Sequence, residues 1–309
     1  MKLVKLPAER GILALIALTA MFAMLSVLAR LLGGGFTVTQ QVYLRVFVAL
    51  LLALVVFRRQ LRWHKLRALP LREWLLVAFR AFVTYGIGVT FISKAANTTL
   101  IGHVSFIAAL PFVPLLGFLV LKEKVTWWKV VFVVGSLLGV SLMAVNNPHD
   151  LLSWNKGDLM AIIATLGFAV GYISRRWQSD ALNNHEITTL MFVFGCGFVL
   201  LLSLLLGNGV PSFDHSWTLW LTVVAGGALN VANIFLVNYA FQHVDAVRAG
   251  NLLNLESAWG LLFGLVFFGE WPSWRGLLGG IMIVACVAGM NLYAHRDVAK
   301  LAPVEDEAA

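Results

Sequence analysis

Glu256 sits in the middle of an apolar run spanning 246–268, the one acidic residue placed so deep in any such run of this chain. A charge at mid-helix in lipid costs at least about 2.5–3.5 kcal/mol, so such a group faces a cavity or a partner. At about 1.5 Å per residue its carboxyl lies roughly 15 Å along the run, near a bilayer midplane. There it can carry a proton, meet a substrate amine, or close a structural ion pair with another helix. Arg45 is its complement, about two turns into 38–57 and one turn beyond Gln41. A guanidinium keeps its charge and its fork suits a carboxylate. Arg45 therefore holds Glu256 in the resting protein, binds a substrate carboxylate, or serves folding alone. Arg80, about two turns into 74–92, is close enough to the membrane edge for its head to snorkel to lipid headgroups.

A second set is polar without fixed charge. His103, in the run 98–121, exchanges protons near neutral pH, although a single membrane histidine more often bonds a neighbouring helix. No second His or Cys lies at ligand spacing from it, so neither a metal nor a cofactor is expected. Asn230 with Asn233, and Asn251 with Asn254, are pairs spaced three apart, each on one helical face. Four amides on two adjacent helices, beside Glu256 and Trp259, read as a cavity lining rather than four separate anchors. Tyr85 and Trp259 offer rings for an organic substrate. Pro111 and Pro114 interrupt 98–121; interior prolines free carbonyls and kink a helix, which lipid tolerates only where protein or trapped water meets them. The candidate substrate-binding set is Arg45, Tyr85, His103, Asn230, Asn233, Asn251, Asn254, Glu256 and Trp259, with Glu256 the proton-coupling candidate.

The elements that position these residues follow from composition. Of 309 residues, 60% are apolar and 12% charged, and the mean hydropathy is +0.85. Soluble domains carry about 25% charged residues, so a soluble enzyme, a disordered tail and a fibrous repeat are excluded. Apolar runs bounded by charge, Pro or Gly predict ten membrane helices at 11–31, 38–57, 74–92, 98–121, 127–145, 157–177, 187–206, 217–239, 246–268 and 274–293. Helices are required because each must satisfy its own backbone; the ten-residue alternation of barrel strands is absent. The first follows Lys2, Lys5 and Arg10 but is too long for a signal-peptide core, and it reads as retained. With the N-terminus inside, 17 of the 23 Lys and Arg fall on the cytoplasmic side, placing both termini in the cytoplasm. This bias also accounts for the net charge of +8 without nucleic acid as a partner. The basic cluster between helices 2 and 3 could meet anionic lipid headgroups. Cys196 and Cys286 lie inside apolar runs and suggest no disulfide.

The halves resemble each other. At an offset of 146, Gly11, Leu13, Phe22, Ala23 and Arg30 match Gly157, Leu159, Phe168, Ala169 and Arg176; at 147, Glu123 and Trp127 match Glu270 and Trp274. Five helices per half is an odd number, so the second half enters the membrane upside down. Inverted repeats place a transporter's site near the midplane between the halves. Units of 1–147 and 148–295 with a cytoplasmic tail at 296–309 are expected. Gly135/Gly139, Gly167/Gly171, Gly260/Gly264 and Gly276/Gly280 read as close-packing pairs, and Glu123 and Glu270 as helix ends with solvated or locally paired charge.

With these residues in place, the whole chain resembles the EamA-type branch of the drug/metabolite transporter superfamily. The resemblance rests on Gly157-Asp158-Leu159, Arg45, Pro111 followed by Leu121-Lys122-Glu123-Lys124, and Phe268-Gly269-Glu270. The family pattern is two tandem five-helix units in which a Pro-containing helix ends in Gly-Glu. Here Lys122 stands for that Gly in the first unit, and Ala258 where the second unit's Pro would fall. The resemblance implies an all-α integral membrane fold of two inverted five-helix repeats and a transport function; it names no cargo. Arg45, Arg80 and His103 against Glu256 lean cationic, which suits a small carboxylate-bearing or zwitterionic metabolite such as an amino acid. The expectation is a secondary-active transporter of the bacterial inner membrane, with a small-molecule substrate and membrane lipid as partners. A nucleophile with a base, or paired acids, is missing, so an enzyme is not expected. A lipid-translocating or structural subunit working with a partner is the alternative.

Overall fold

The computed structural model describes residues 2–96, 98–99, 101–124, 126–144, 155–209, 211–212 and 214–300, without the side chains of 2–8, 96, 101–103 and 295–300. Ten helices long and apolar enough to cross a membrane are present among these residues: α1 (Glu9–Leu32), α2 (Val38–Val56), α3 (Leu71–Ala95), α4 (Val104–Leu121), α5 (Trp127–Ala144), α6 (Lys156–Trp177), α7 (Asn184–Leu205), α8 (Trp217–His243), α9 (Ala246–Phe268) and α10 (Trp274–Ala294). An even number returns the chain to the face it started from, called here the terminal face; the other is the opposite face. Lipid-facing side chains such as Val130, Val134, Leu138, Ile281 and Val284 are exposed, as an apolar solvent requires.

Local chemistry sets where the helices begin. Thr37 with Gln40 starts α2 and Asn183 with Glu186 starts α7, each with reciprocal side chain to backbone bonds. Asn155 with Asp158 does the same for α6, and the Asp245 carboxylate accepts the Arg248 N–H at the start of α9. Such caps satisfy N–H groups that have no partner within the helix. At the start of α7, Arg62 donates from Nη2 to Glu186 at 2.6 Å, and this bond raises the Arg62 pKa above that of a free arginine.

Three helices are interrupted: α4 as its prolines predict, α3 and α9 where continuous segments were expected. In α3, Phe82–Val89 winds as a π-helix, a form often tied to function. Gly167 and Gly171 of α6 press on this stretch, where added Cβ atoms would meet Val83 O at 2.9 Å and Thr84 Oγ1 at 2.5 Å. Helix α4 is broken between Ile101–Ala108 and Phe112–Leu121, where Pro111 has no N–H to give. Helix α9 is likewise broken, into Ala246–Leu253 and Leu255–Phe268, with Asn254 at the joint.

The packing is that of an inverted duplication. Helix α1 lies against α8 and α9, as α6 lies against α3 and α4; α2 crosses α7, α5 crosses α10, and α4 crosses α9. Exchanging each helix with the one five places on leaves this set unchanged. The broken helices α4 and α9 are thus equivalents, and they meet each other at the centre. Discontinuous helices at matching places in two repeats mark the midplane site in inverted-repeat transporters.

Candidate functional site

Arg45 is held by its stem rather than by a counter-ion. Its Nε donates to the Gln41 carbonyl one turn earlier, at 3.1 Å. Gly226 of α8 approaches the aliphatic part, where an added Cβ would lie 2.6 Å from Arg45 Cδ. Among the described residues no carboxylate lies within ion-pair distance of the guanidinium, and Glu256 is not its partner. Glu256 itself is half-buried at the start of the second segment of α9. The structure therefore leaves the deep cation and the deep anion apart.

Two tyrosines accompany these charges. Tyr85, on the π-helical stretch of α3, lies within electrostatic reach of Arg45 and of Tyr172, and Tyr172 of α6 within reach of Glu256. The Tyr85 ring rests on Gly195 of α7, where any side chain would collide with it. Tyr172 stacks between Phe168 and Phe241, with centroids at 6.1 and 5.0 Å. Tyr172 was not expected from sequence; one tyrosine in an apolar run gives little signal, and its role comes from packing across four helices.

The amides divide. Asn233 is fully buried, and neither its Oδ1 nor its Nδ2 has a hydrogen-bond partner. The Tyr85 hydroxyl and Trp259 Nε1 are also buried and unpaired. A buried polar group without a partner costs about 1–3 kcal/mol, so each of these calls for an explanation. Asn251, by contrast, accepts from Ser136 at 2.6 Å and ties α9 to α5; only its Nδ2 is left over. Asn254 is buried at the break in α9, and Asn230 is half-buried a turn before Asn233. His103 belongs to the first segment of α4; its side chain lies outside the described residues. A shallow depression lined by Leu71, Arg72, Leu75, Leu76 and Trp177 lies apart from these groups, near the terminal-face ends of α3 and α6.

Two expectations are corrected and one is narrowed. Arg80 does not snorkel: it is fully buried, and donates to Gly171 O at 3.3 Å, to Asn238 Oδ1 at 2.7 Å and to Gln178 Oε1. Three polar acceptors turned inward from α6 and α8 hold it more closely than headgroups would. Of the two readings of Glu123, a solvated or a paired helix end, the second fits: its carboxylate accepts the Ala246 N–H at 2.9 and 3.0 Å and so caps α9 from outside. Gly260 and Gly264 do not close-pack. A Cβ on Gly260 would meet nothing within 4 Å, and one on Gly264 would meet only Glu270.

The profile of the EamA-like transporter family matches residues 9–145 and again 155–292. An "uncharacterized transporter" of Bacillus subtilis is 25% identical over 61% of this chain and 64% of its own length, so the match spans less than two thirds of that relative. A second "uncharacterized transporter", of Synechocystis, is 24% identical over 76% of this chain and 70% of its own. A crystal structure at 17% identity superposes with a TM-score of 0.75, covering 94% of this chain and 98% of the other; it supports the fold.

Proposed function

Because the chain belongs to the EamA-like transporter family, we propose that it moves a small zwitterionic or carboxylate-bearing metabolite, an amino acid or a relative, across the bacterial inner membrane by alternating access. One observation carries the reading: a deep guanidinium and a deep carboxylate are not paired with each other, Tyr85 lies within electrostatic reach of the first and Tyr172 of the second, and buried polar atoms of Asn233 and Trp259 are left without partners. A substrate carboxylate on Arg45 and a substrate amine on Glu256 would complete both charges at once. Glu256 is also the proton-coupling candidate, releasing or taking its proton as the site empties and fills. Both termini would lie in the cytoplasm, following the Lys/Arg bias.

The test is thermal stabilisation of the purified protein by amino acids, simple carboxylates and simple amines, since a ligand that binds only the folded state raises stability with its concentration over Kd. Zwitterions should stabilise more than either half-charged class. Arg45→Lys should weaken the effect about tenfold or more, because an ammonium cannot give a bidentate bond. Stabilisation by no zwitterion, or undiminished stabilisation of Arg45→Lys, would overturn the assignment. Glu256→Gln in proteoliposomes should lose pH-driven uptake of the ligand so found while exchange persists; retained pH-driven uptake removes proton coupling through this residue.

A further inference from the structure

The two faces of the α4/α9 crossing are built from equivalent parts used differently. Glu123 and Glu270 are equivalent at an offset of 147, as are Gly117 and Gly264, and Lys122 and Gly269; Arg30 and Arg176 are equivalent at 146. Both segments end in the same way, with Lys122 and Gly269 in the left-handed conformation and the Glu123 and Glu270 N–H groups bonded at 3.1 Å to Gly117 O and Gly264 O. The local backbone is repeated faithfully, so what differs between the ends is what docks on them.

On the terminal face everything is engaged. The start of α9 packs on the end of α4; a Cβ on Gly117 would strike Ala246 Cβ at 2.6 Å. Glu123 caps α9, and Arg176 stands 3.9 Å from that carboxylate while donating to Phe241 O and Val244 O at 2.8 and 2.7 Å. The Glu123 side chain is 12% exposed. On the opposite face the same pieces are ready but undocked. Arg30 pairs with Glu270 at 2.7 Å and lies over the Phe268 ring, yet their side chains are 61% and 55% exposed. The turn that leads into α4 leans away, onto α6: Thr99 donates to Asp158 at 2.7 Å and accepts from Asn155. Gly264 therefore faces a notch with no neighbouring helix in it.

We propose that Arg30, Gly264 and Glu270 form a second latch, which receives the start of α4 when the opposite face closes, as Arg176, Gly117 and Glu123 receive the start of α9 here. This inference rests on the alternating-access reading and deepens it by naming the residues that hold each closed state. These are positioning residues: they touch the moving helix, and no substrate contact is asked of them. The two latches compete, because each draws one of the crossed helices inward at the expense of the other face.

Spin-label distances test it in the full chain, with Cys196→Ser and Cys286→Ser as background. Thr98→Cys with Trp271→Cys reports the opposite face, and Lys124→Cys with Gln242→Cys the terminal face. Glu123→Gln should lengthen the terminal-face distance and bring up a short opposite-face component. Adding Glu270→Gln should cut the ratio of short to long opposite-face populations about tenfold, the effect of one lost charge-assisted bond to backbone. Gly264→Leu, whose Cβ would meet only Glu270 in the present state, should do the same and guards against a carboxylate variant that fails to fold. A short component that neither variant diminishes overturns the latch alone. An opposite-face distance that never shortens, even with Glu123→Gln, overturns the two-face reading and the latch with it.

Discussion

Residue by residue, the deep charges differ in how many partners hold them, and those held by several read as structural. Arg80 is the clearest structural one. Its guanidinium has five donors and meets three acceptors from α6 and the segment after it and from α8, which an ammonium cannot span. Arg80→Lys should cost about 2–3 kcal/mol of stability, read as a lower midpoint in detergent unfolding, while leaving ligand stabilisation proportionally intact. A loss of ligand response at unchanged midpoint would instead place Arg80 in the transport path. Lys122 carries the opposite sign. It holds φ +54° where its repeat mate is Gly269, and the left-handed region costs a residue with a side chain about 1–2 kcal/mol. Lys122→Gly should raise the midpoint by somewhat under that amount, because glycine also gives the unfolded chain more freedom. Arg45 and Glu256 were legible in the sequence because lipid penalises charge by depth alone. The environment of Arg80 was not: its acceptors Gln178 and Asn238 lie 98 and 158 residues away, and nothing in its own helix signals them.

At the scale of the element, ten helices could be read from the sequence because a span in lipid is long, apolar and obliged to satisfy its own backbone. The interruption of α4 was readable from Pro111. That of α9 was not, since Asn254 sits in a segment with no proline; the first half of α9 packs chiefly on α4 and the second chiefly on α1, with both halves touching α1 and α10. The π-helical turn of α3 was also hidden. It exists where Gly167, Gly171 and Gly195 let α6 and α7 approach Val83, Thr84 and Tyr85, so the sequence signal was spread over three helices. A single methyl probes it: Gly195→Ala should press directly on the Tyr85 ring. Overpacking of this kind costs about 1–3 kcal/mol, and because the ring stands beside Arg45, ligand stabilisation should weaken beyond what the loss of stability explains. Equal losses in both would make Tyr85 a packing residue only. A milder element-level effect is expected at the start of α6, where Asn155→Ala removes a cap worth about 1 kcal/mol and also one bond to Thr99, leaving that residue on Asp158 alone.

For the whole molecule, the inverted duplication gives three self-equivalent crossings, two of them tightly joined and one tight at a single face only. Between α5 and α10 the backbones nearly touch: a Cβ on Gly279 would collide with the Gly139 carbonyl oxygen, and one on Gly135 would lie 2.6 Å from Cys286 Sγ. Between α2 and α7, Ser203 donates to Thr39 in the buried interior, and Gln40 and Asn208 tie the same ends together. The α4/α9 crossing alone is tight at one face and slack at the other, although the duplication supplies matching glycines at both. The symmetric sequence in an asymmetric conformation is what a two-state carrier requires: each repeat must be able to adopt the arrangement its partner now holds. The small-residue pairs of the sequence thus looked alike but are not, because periodicity reports where helices can approach and not when they do. The contrast is measurable. Gly279→Leu should abolish folding or lower the unfolding midpoint severely, by about 3 kcal/mol or more, since neither backbone at that seam can yield. Gly264→Leu should leave the midpoint within about 0.5 kcal/mol, as expected away from packed features. If both glycines proved equally intolerant, the slack face would have to be occupied in solution, and the division into tight and slack seams would fail.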